Sequence, residues 1–539
     1  MTRVASSPPH ADRYDVALIG SGLAGGILGT VLARNGVRVL LLDATTHPRF
    51  AVGESTIPYT SAMAEVIAER YGVPEVGALA SFAGVRSRIS PMCGQKRNFG
   101  FVHHEVGRAP RHDRVNQEVI PEYQGTETHL FRQDVDAYFF HLAVRCGAEP
   151  RLNTRITGIE TDADRGVVCR SDRGEEFRAA YVVDSSGFRS PVAQAFGLRD
   201  EPTRARAHSR SLFTHMIGVE PFDDMAAARA CDPLVPWHQG TLHHVFDGGW
   251  LWVIPFDNYK GAPNPLCSVG LTLDERVFPP GTLAGQQEFD AFLRRFPRIA
   301  EQFRTAKAVR PWVSTGRLQY SAHQTVGDRY CLTAHAAGFI DALYSRGMTN
   351  TLEVVNSLAW RLIRAVEEDD WSTERFAYVD RLQQGLFDVH DDLVYSSFVG
   401  FRDYALWNAV TRVWKATSIL TTMTAQKALR DFRRDRDEGA LLALESDHHP
   451  GLPGPFGADV SRLLVFTREL CAAVEAGALP AQEAAATLFT HLRNAEFLPP
   501  PLELGVPENR MSEATADVVA RITEWGRTRA PEQVRALFV

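Results

Sequence analysis

The sequence predicts an α/β fold: a module built on a parallel sheet, an inserted β-rich domain and a helical C-terminal region. Two apolar runs, residues 14–19 and 37–43, flank a helix-compatible stretch at 24–35. Near-continuous apolar runs are typical of parallel strands buried on both faces, so these segments form a predicted βαβ unit. Residues 205–318 instead contain alternating apolar and polar positions, which indicate half-buried strands. Beyond about residue 366 the pattern changes to a helical period.

A glycine-rich loop joins the first predicted strand to the first predicted helix. It reads Gly20-Ser21-Gly22-Leu23-Ala24-Gly25. In a Gly-x-Gly-x-x-Gly loop the backbone can approach a pyrophosphate, and the helix N-terminus at Ala24 and Gly25 meets the negative charge. Asp43, which ends the second strand, is placed to accept a hydrogen bond from a ribose hydroxyl and disfavours a 2′-phosphate. The segment therefore predicts a Rossmann-like site for FAD or NAD.

Three later segments favour FAD over NAD. Similar elements follow in the same order in flavoproteins of the glutathione-reductase type, where they wrap the dinucleotide, although each taken alone is an ordinary strand end or helix cap. The segments are Gly53-Glu54-Ser55-Thr56-Ile57-Pro58, Leu130-Phe131-Arg132-Gln133-Asp134 and Val182-Val183-Asp184-Ser185-Ser186-Gly187. Within them we expect Ser55, Arg132 and Asp184 to contact the cofactor. Because no second Gly-x-Gly-x-x-Gly follows, electrons must come from NAD(P)H that binds transiently or from a separate NAD(P)H-flavin reductase.

These patterns divide the chain into a module, an insertion and a C-terminal region. The predicted FAD-binding module covers residues 13–365 and is interrupted by a β-rich substrate domain at about 85–128 and 205–318. Residues 366–539 form the predicted helical region. Aromatic residues at near-helical spacing in that region predict a core stripe rather than a substrate pocket. They are Phe401, Tyr404, Trp407 and Trp414.

Composition and charge limit the classes of partner. The formal net charge is −7, which predicts no nucleic-acid partner and no binding to a membrane surface. Seven cysteines without a Cys-x-x-Cys pair indicate reduced thiols and no metal site. Since no stretch approaches the ~18 apolar residues of a membrane span, we expect a cytoplasmic enzyme that acts on a small molecule.

Three further segments carry a more specific signal. They are Gly249-Trp250-Leu251-Trp252-Val253-Ile254-Pro255, Cys93-Gly94-Gln95-Lys96-Arg97-Asn98-Phe99-Gly100-Phe101 and Gly338-Phe339-Ile340-Asp341-Ala342-Leu343-Tyr344-Ser345-Arg346-Gly347-Met348. The first contains the W-x-W-x-I-P hallmark of flavin-dependent halogenases. The second is similar to the segment that carries the lysine of this family, and the third to its loop beside flavin and halide. Over most of residues 14–430 the chain therefore resembles the flavin-dependent halogenases, and their phenol-acting branch in particular.

The resemblance implies two catalytic roles, a wall between flavin and substrate and an amine that handles the halogen. Reduced FAD, oxygen and a halide (chloride or bromide) would yield hypohalous acid. Trp250 and Trp252 would form a wall between flavin and substrate that suppresses direct oxygenation. Lys96 would relay or steer the halogen, since an amine can form a chloramine or donate a hydrogen bond.

The third segment implies the halide site and the flavin contacts. Backbone amides around Ser345, Arg346 and Gly347 would hold the halide, because main-chain N–H groups in a turn form an anion nest. Gly338 and Asp341 would contact the cofactor.

One departure from the family bears on the substrate. Tryptophan halogenases carry a glutamate where this chain has Tyr344, so the resemblance implies an electron-rich phenol rather than tryptophan. We expect a free phenolic molecule and regard tethering to a carrier protein as the less favoured alternative. Two other interpretations stay open, a flavin-dependent phenol monooxygenase (hydroxylase) and a flavin-binding scaffold without enzymatic activity.

Overall fold

The computed structural model describes residues 13–538 except 109, 121–124, 163–164, 226–227 and 229–230. Its strands are β1 (Tyr14–Ile19), β2 (Val39–Leu42), β3 (Gly94–Lys96), β4 (Asn98–His104), β5 (Val115–Val119), β6 (Glu127–His129), β7 (Glu149–Arg151), β8 (Ile156–Asp162), β9 (Gly166–Ser171), β10 (Glu176–Asp184), β11 (Ser209–Ile217), β12 (Thr241–Phe246), β13 (Gly249–Pro255), β14 (Cys267–Asp274), β15 (Lys307–Ala308), β16 (Val313–Arg317), β17 (Val326–Gly327), β18 (Tyr330–Leu332) and β19 (Met511–Glu513).

The α-helices are α1 (Leu23–Arg34), α2 (Pro58–Arg70), α3 (Phe82–Arg88), α4 (Arg132–Arg145), α5 (Pro191–Ala195), α6 (Gln286–Leu293), α7 (Pro297–Ala300), α8 (Arg346–Glu368), α9 (Thr373–Gly400), α10 (Tyr404–Asp435), α11 (Glu438–Leu442), α12 (Gly457–Glu475), α13 (Ala481–Asn494), α14 (Ala516–Thr528) and α15 (Glu532–Arg535). Short 3₁₀ helices cover Val76–Ala80, Phe222–Asp224, Trp237–Gln239, Glu301–Phe303, Ala334–Ala336 and Pro500–Leu502.

A parallel sheet forms the centre of the Rossmann-like module. Strands β18, β10, β1, β2 and β7 lie side by side in that order and run parallel. Alternate residues of β1 enter two different cores, Val16 and Leu18 on one face and Ala17 and Ile19 on the other. This burial on both faces explains the near-continuous apolar run. The predicted α/β fold class, with its Rossmann-like module, is confirmed.

A second, mostly antiparallel sheet forms the β-rich insertion. Its strands follow the order β15-β11-β14-β13-β12-β4-β5-β19, and β16 also pairs with β11. Trp250, Trp252 and Ile254 of β13 pack into the core that also contains β1. Leu251 and Val253 of the same strand pack with α6 in a separate core. The sheet therefore presents its aromatic face to the Rossmann-like module, while β3 and β6 form a two-stranded ribbon beside it.

The predicted helical C-terminal region is confirmed, and it also contains a short strand. Helix α8 spans the predicted boundary at residues 365–366 and ends at Glu368, and the domain boundary itself stays a prediction. The region is also not entirely helical, because β19 pairs in parallel with β5, which supplies hydrogen bonds that an isolated three-residue strand lacks. Among the residues described, none of the helices combines the length and the apolar character that a membrane span requires.

Candidate active site

The glycine loop between β1 and α1 has the backbone geometry of a phosphate-binding turn. Gly20 has a φ of +97°, in the left-handed region that glycine adopts most readily. A Cβ atom on Gly25 would lie 1.9 Å from the carbonyl oxygen of Gly20, so this close approach requires glycine. The N-cap residue Gly22 provides no side-chain hydrogen bond to the first amides of α1. The amides of the first turn, including that of Ala24, are therefore available to a pyrophosphate.

Asp43 lies directly after β2, beside the glycine loop. Its carboxylate accepts hydrogen bonds from the backbone N–H and the hydroxyl of Ser21 at 2.8 and 2.7 Å. It also forms a bidentate ion pair with Arg49, at 2.6 and 2.8 Å. Burial alone would raise the pKa of Asp43, but the Arg49 guanidinium and the Ser21 donors hold this pKa at about 2. The carboxylate is thus ionised at neutral pH; its contact with a ribose stays a prediction.

Arg132 and Asp184, both predicted to contact the cofactor, have protein partners. Arg132 pairs with Asp136 at 2.7 Å and donates to the carbonyl oxygens of residues 52–53 at 2.8 and 3.0 Å. It thereby ties α4 to the turn that precedes Ser55. Asp184 accepts hydrogen bonds from Ser190 and from an amide in the first turn of α5, and so caps that helix. A direct contact of either residue with the cofactor stays a prediction.

Lys96 ends β3, and its side chain is fully buried. Its Nζ donates to the hydroxyl of Ser55 at 2.7 Å and to the carbonyl oxygen of Thr56 at 2.8 Å. The same atom lies 3.3 Å from the ring centre of Phe99. Burial lowers the pKa of Lys96 well below the usual range, although Glu127, opposite on β6, favours the ammonium. The hydroxyl of Ser55, a predicted cofactor contact, therefore positions this amine.

An aromatic face extends from Lys96 along the second sheet. Beside Phe99, the ring of His243 lies 6.4 Å away, centre to centre, and is followed by Trp250 at 5.6 Å. Trp252 lies 5.4 Å from Trp250 on the same side of β13, and both indoles are buried. The two tryptophans are thus contiguous with Lys96; their action as a wall stays a prediction.

Helices α9 and α10 close the opposite side of this aromatic region. Trp414 of α10 packs edge-on against Phe99 at 5.0 Å and stacks on Tyr344 at 5.0 Å. The hydroxyl of Tyr344 is 2.5 Å from that of Ser397 in α9. Trp414 and Trp407 are buried, so they belong to the core as expected and also border the region around Lys96.

The loop from Gly338 to α8 contacts the start of β11 through Asp341. This carboxyl accepts hydrogen bonds from the hydroxyl of Ser209 at 3.1 Å and from the backbone N–H of Leu343 at 3.0 Å. Burial raises the pKa of Asp341 to about 7. Gly338 lies close to the carbonyl oxygen of Tyr320, 3.0 Å from where its Cβ would be. The loop is thus rigidly packed; its contact with the flavin stays a prediction.

The end of this loop has the geometry of an anion site. Ser345 is left-handed, with φ 54° and ψ 27°, and α8 begins at the next residue, Arg346. A left-handed residue followed by right-handed ones directs successive N–H groups into one concavity, and the helix dipole adds positive potential. The side chain of the N-cap residue Ser345 makes no capping hydrogen bond to this N-terminus. The amides of Arg346 and Gly347 are therefore suited to hold a halide.

The structure places four further polar side chains beside Lys96 that the motifs did not reveal. They are Glu127, His129, Thr241 and His243. Thr241 and His243 share the face of β12 that is paired with Phe99 and Phe101 of β4. A sequence signal exists for two of them: Thr241 and His243 are polar residues at alternate positions of β12, which also contains the apolar residues Leu242, Val245 and Phe246.

Several known proteins are similar to this chain over most of its length. A model of the FAD binding domain matches residues 13–245. The chain is 46% identical to the tetracycline 7-halogenase of Kitasatospora aureofaciens over 99% of this chain and 96% of that protein. It is 43% identical to the monodechloroaminopyrrolnitrin halogenase PrnC of Pseudomonas fluorescens over 100% and 96% of the two chains. The crystal structure of the halogenase PltM in complex with phloroglucinol and FAD matches with a TM-score of 0.88 and 34% identity, covering 93% of this chain and 100% of that one.

These likenesses extend over both the Rossmann-like module and the helical region that encloses Lys96. The FAD binding domain match contains the glycine loop, Asp43 and Lys96. The two relatives cover nearly the whole chain at identities above 40%, so the activity of an oxidoreductase and the cofactor FAD are shared with them. The chain therefore belongs to the flavin-dependent halogenases.

Proposed function

We propose that this halogenase chlorinates or brominates a free, electron-rich phenol by electrophilic substitution. The observation that carries the proposal is the buried amine of Lys96 inside an aromatic region bounded by Phe99 and Trp414. Aromatic faces suit a flat arene. The indole N–H groups of Trp407 and Trp414 are buried and have no hydrogen-bond partner in the described part of the chain. We assign a phenol hydroxyl oxygen as the acceptor for these two donors.

Tyr344 supports the choice of a phenol over tryptophan. It occupies the position of the glutamate of tryptophan halogenases, and its ring and hydroxyl are held by Trp414 and Ser397. A phenol donates electron density from its own hydroxyl, so it needs no added carboxylate to become nucleophilic. Hydroxylation is the less favoured alternative, because the full-length relatives at 43–46% identity are both halogenases.

FAD fits the cradle that the first loop forms. We assign its pyrophosphate to the amides between Gly20 and Gly25, a ribose hydroxyl to Asp43, and its flavin end to the loop of Gly338 and Asp341. When bound in its reduced form, the cofactor supplies with oxygen the oxidising power that converts halide to hypohalous acid. Flavin halogenases generally receive reduced flavin from a separate reductase, and we expect the same here. The amides of the 345–347 nest hold the halide.

Lys96 carries the halogen to the arene in this proposal. The neutral amine donates its two N–H groups to Ser55 and Thr56, which leaves the lone pair of Nζ free. This lone pair attacks the chlorine of hypochlorous acid; the N–Cl bond forms, the Cl–O bond breaks, and the departing hydroxide takes a proton from Nζ to form water. The phenol ring then takes chlorine from Nζ, and net transfer of the ring proton to Nζ restores the amine.

A cytoplasmic location belongs to the same proposal. All seven cysteines are free thiols, as expected in a reducing compartment.

The test is a panel of arenes incubated with the FAD-loaded enzyme, a flavin reductase, NADH, oxygen and either chloride or bromide. Phloroglucinol, resorcinol, a tyrosine-like phenol and tryptophan are compared by mass spectrometry, in which the halogen isotope pattern identifies the product. We expect halogenated phenols and unchanged tryptophan. Products that gain oxygen without halogen would support the hydroxylase, and halogenation of tryptophan alone would refute the phenol assignment.

A matched pair of lysine variants tests the role of Lys96. Lys96→Ala should abolish halogenation but leave FAD content unchanged, because the amides of the glycine loop that hold the pyrophosphate are unaltered. Lys260→Ala removes an exposed lysine of the same domain and should retain full activity. Halogenation by Lys96→Ala at the wild-type rate would exclude the proposed relay of halogen through this amine.

A further inference from the structure

A continuous chain of hydrogen bonds leads from Lys96 to the backbone of β13. Lys96 Nζ is 2.7 Å from Ser55 Oγ, which is 2.9 Å from Thr241 Oγ1. Thr241 Oγ1 is 3.0 Å from His129 Nε2, and His129 Nδ1 is 2.8 Å from the carbonyl oxygen of Pro255. The four side chains are between 0 and 6% exposed. Protons on Lys96 therefore have no direct contact with bulk water but do have this internal path.

The carbonyl oxygen of Pro255, at the end of this series of hydrogen bonds, fixes the direction of every bond in the series. A carbonyl oxygen only accepts, so His129 carries its proton on Nδ1 and, as a neutral ring, presents a bare Nε2. Thr241 must then donate its single hydroxyl proton to Nε2. Ser55 in turn must donate to Thr241, and Lys96 to Ser55. All donors point from the amine towards His129, which is the arrangement required for proton transfer in that direction.

The surroundings of Lys96 explain why an internal acceptor is needed. The face of Phe99 lies 3.3 Å from Nζ and Glu127 lies opposite on β6, and both favour the ammonium. An ammonium has no lone pair and cannot attack hypochlorous acid. Burial disfavours the ammonium, yet removal of its proton requires a base within reach.

We propose that His129 is a positioning residue that takes the proton of the Lys96 ammonium through Ser55 and Thr241, and so delivers the amine that accepts halogen. This inference rests on the proposed role of Lys96. A proton moves from Nζ to Ser55 Oγ, the Ser55 proton moves to Thr241 Oγ1, and the Thr241 proton moves to His129 Nε2. Three bonds to hydrogen break and three form, the Nδ1 proton stays in place, and one positive charge passes from Lys96 to His129.

The charged and titratable neighbours are compatible with this transfer. Burial, then the positive charge of Lys96 and smaller effects of His238 and His243, lower the pKa of His129 to about 3, against the hydrogen bond to Pro255, which raises it. The contribution of Lys96 disappears once its proton has left. Burial also lowers the pKa of Lys96, and Glu127 opposes this shift. Burial penalises the charged forms of both Lys96 and His129, and it raises the pKa of Glu127, which faces Lys96 from β6.

The experiment follows chlorination of Lys96 directly, without turnover. The FAD-loaded, oxidised enzyme is mixed with stoichiometric hypochlorous acid over a mildly acidic to mildly alkaline pH range. Replacement of hydrogen by chlorine on the peptide containing Lys96 is then timed by mass spectrometry. Thr241→Val removes the hydroxyl at constant shape, and Thr241→Ser restores it. His129→Gln keeps an acceptor and a donor but cannot take up a proton.

We expect Thr241→Val and His129→Gln each to slow chlorination at the acidic end by about 100-fold, the magnitude of a lost general base. Their rates should recover as the pH rises, and the double variant should be no slower than either single one, because both changes interrupt the same path. Thr241→Ser should retain the wild-type pH profile. FAD content and thermal unfolding of each variant report whether the fold is intact.

Two results would overturn the inference in distinguishable ways. A wild-type pH profile in Thr241→Val, or an equal slowing at every pH, would exclude proton transfer through Thr241 while leaving halogenation through Lys96 intact. If wild-type protein halogenates phenols but never acquires chlorine on Lys96, the proposed role of Lys96 fails, and the transfer to His129 fails with it.

Discussion

A methyl group added at Gly270 would test the tryptophan face of the second sheet. Gly270 of β14 is paired with Trp252 of β13. A Cβ atom there would lie 2.0, 2.1 and 2.4 Å from three atoms of the indole ring. Non-bonded carbon atoms pack at about 3.5 Å or more, so the ring of Trp252 must move by about 1.5 Å in Gly270→Ala.

The surroundings of Trp252 determine the size of the effect. Its indole N–H donates to Ser268 at 3.2 Å, and its ring lies 5.4 Å from Trp250 and 6.1 Å from Phe213. Overpacking of a filled core costs about 1–3 kcal/mol, and loss of the hydrogen bond to Ser268 adds about 1 kcal/mol. We therefore expect the free energy of unfolding to fall by about 2–4 kcal/mol.

The assay combines urea unfolding with product analysis during turnover. If Trp252 separates flavin from substrate, its displacement should raise the fraction of oxygenated phenol and lower that of halogenated phenol. Gly316→Ala is the matched control, because Gly316 lies in β16 of the same sheet and its Cβ would meet no atom within 4 Å; its stability should change by less than about 0.5 kcal/mol. Unchanged stability of Gly270→Ala would refute the close packing of Gly270 against Trp252. An unchanged product ratio as well would refute the role of Trp252 in separating flavin from substrate.

Three further substitutions have distinct expected outcomes. In wild type the folded pKa of Asp43 is about 2, below its ordinary 3.8, so its carboxylate stabilises the protein above about pH 4 and this contribution is lost as the pH falls through about 2. Urea unfolding should show Asp43→Asn less stable than wild type at neutral pH, with a difference that shrinks on acidification; a constant difference would contradict this. The pKa of Asp341 is raised to about 7, so wild type should lose stability relative to Asp341→Asn between about pH 4 and pH 7 and not beyond. The same unfolding series checks this, and an opposite slope would exclude a raised pKa. In Gly347→Ala the new Cβ would lie 3.2 Å from His335 Nε2, so the backbone amides proposed to hold the halide must shift. Steady-state kinetics should therefore show a several-fold higher KM for chloride and an unchanged KM for the phenol. An equal rise in both would argue against a halide at this position.

The sequence was sufficient to predict the parts of the fold that depend on local pattern. The run at β1 alternates between two cores, and such double burial leaves a continuous apolar segment that is legible without a structure. The positions of Trp250 and Trp252 on one face of a strand follow from their spacing of two. Lys96 was identified only through its resemblance to the family, because a single lysine in a short strand has no distinguishing local pattern.

The remainder depends on contacts between distant segments. Ser55, His129 and Thr241 meet through separate strands and loops, and no periodicity in the chain predicts which hydroxyl faces which imidazole. Asp184 illustrates the same limit: a strand followed by an acidic residue and glycine predicts a cofactor contact, which stays a prediction, but it does not predict the protein partners of the carboxylate. The structure shows its carboxylate capping α5 through Ser190.

The pairing of β19 with β5 has a consequence for how the enzyme is made. Strand β5 adjoins β4, which carries Phe99, and its outer edge pairs with residues Met511–Glu513. During synthesis this edge therefore stays without its β19 partner until residue 513 has left the ribosome. An unpaired strand edge is a template for pairing with other chains, so aggregation competes with folding until β19 has been made. Truncations that remove β19 should for the same reason yield aggregates rather than a smaller active enzyme.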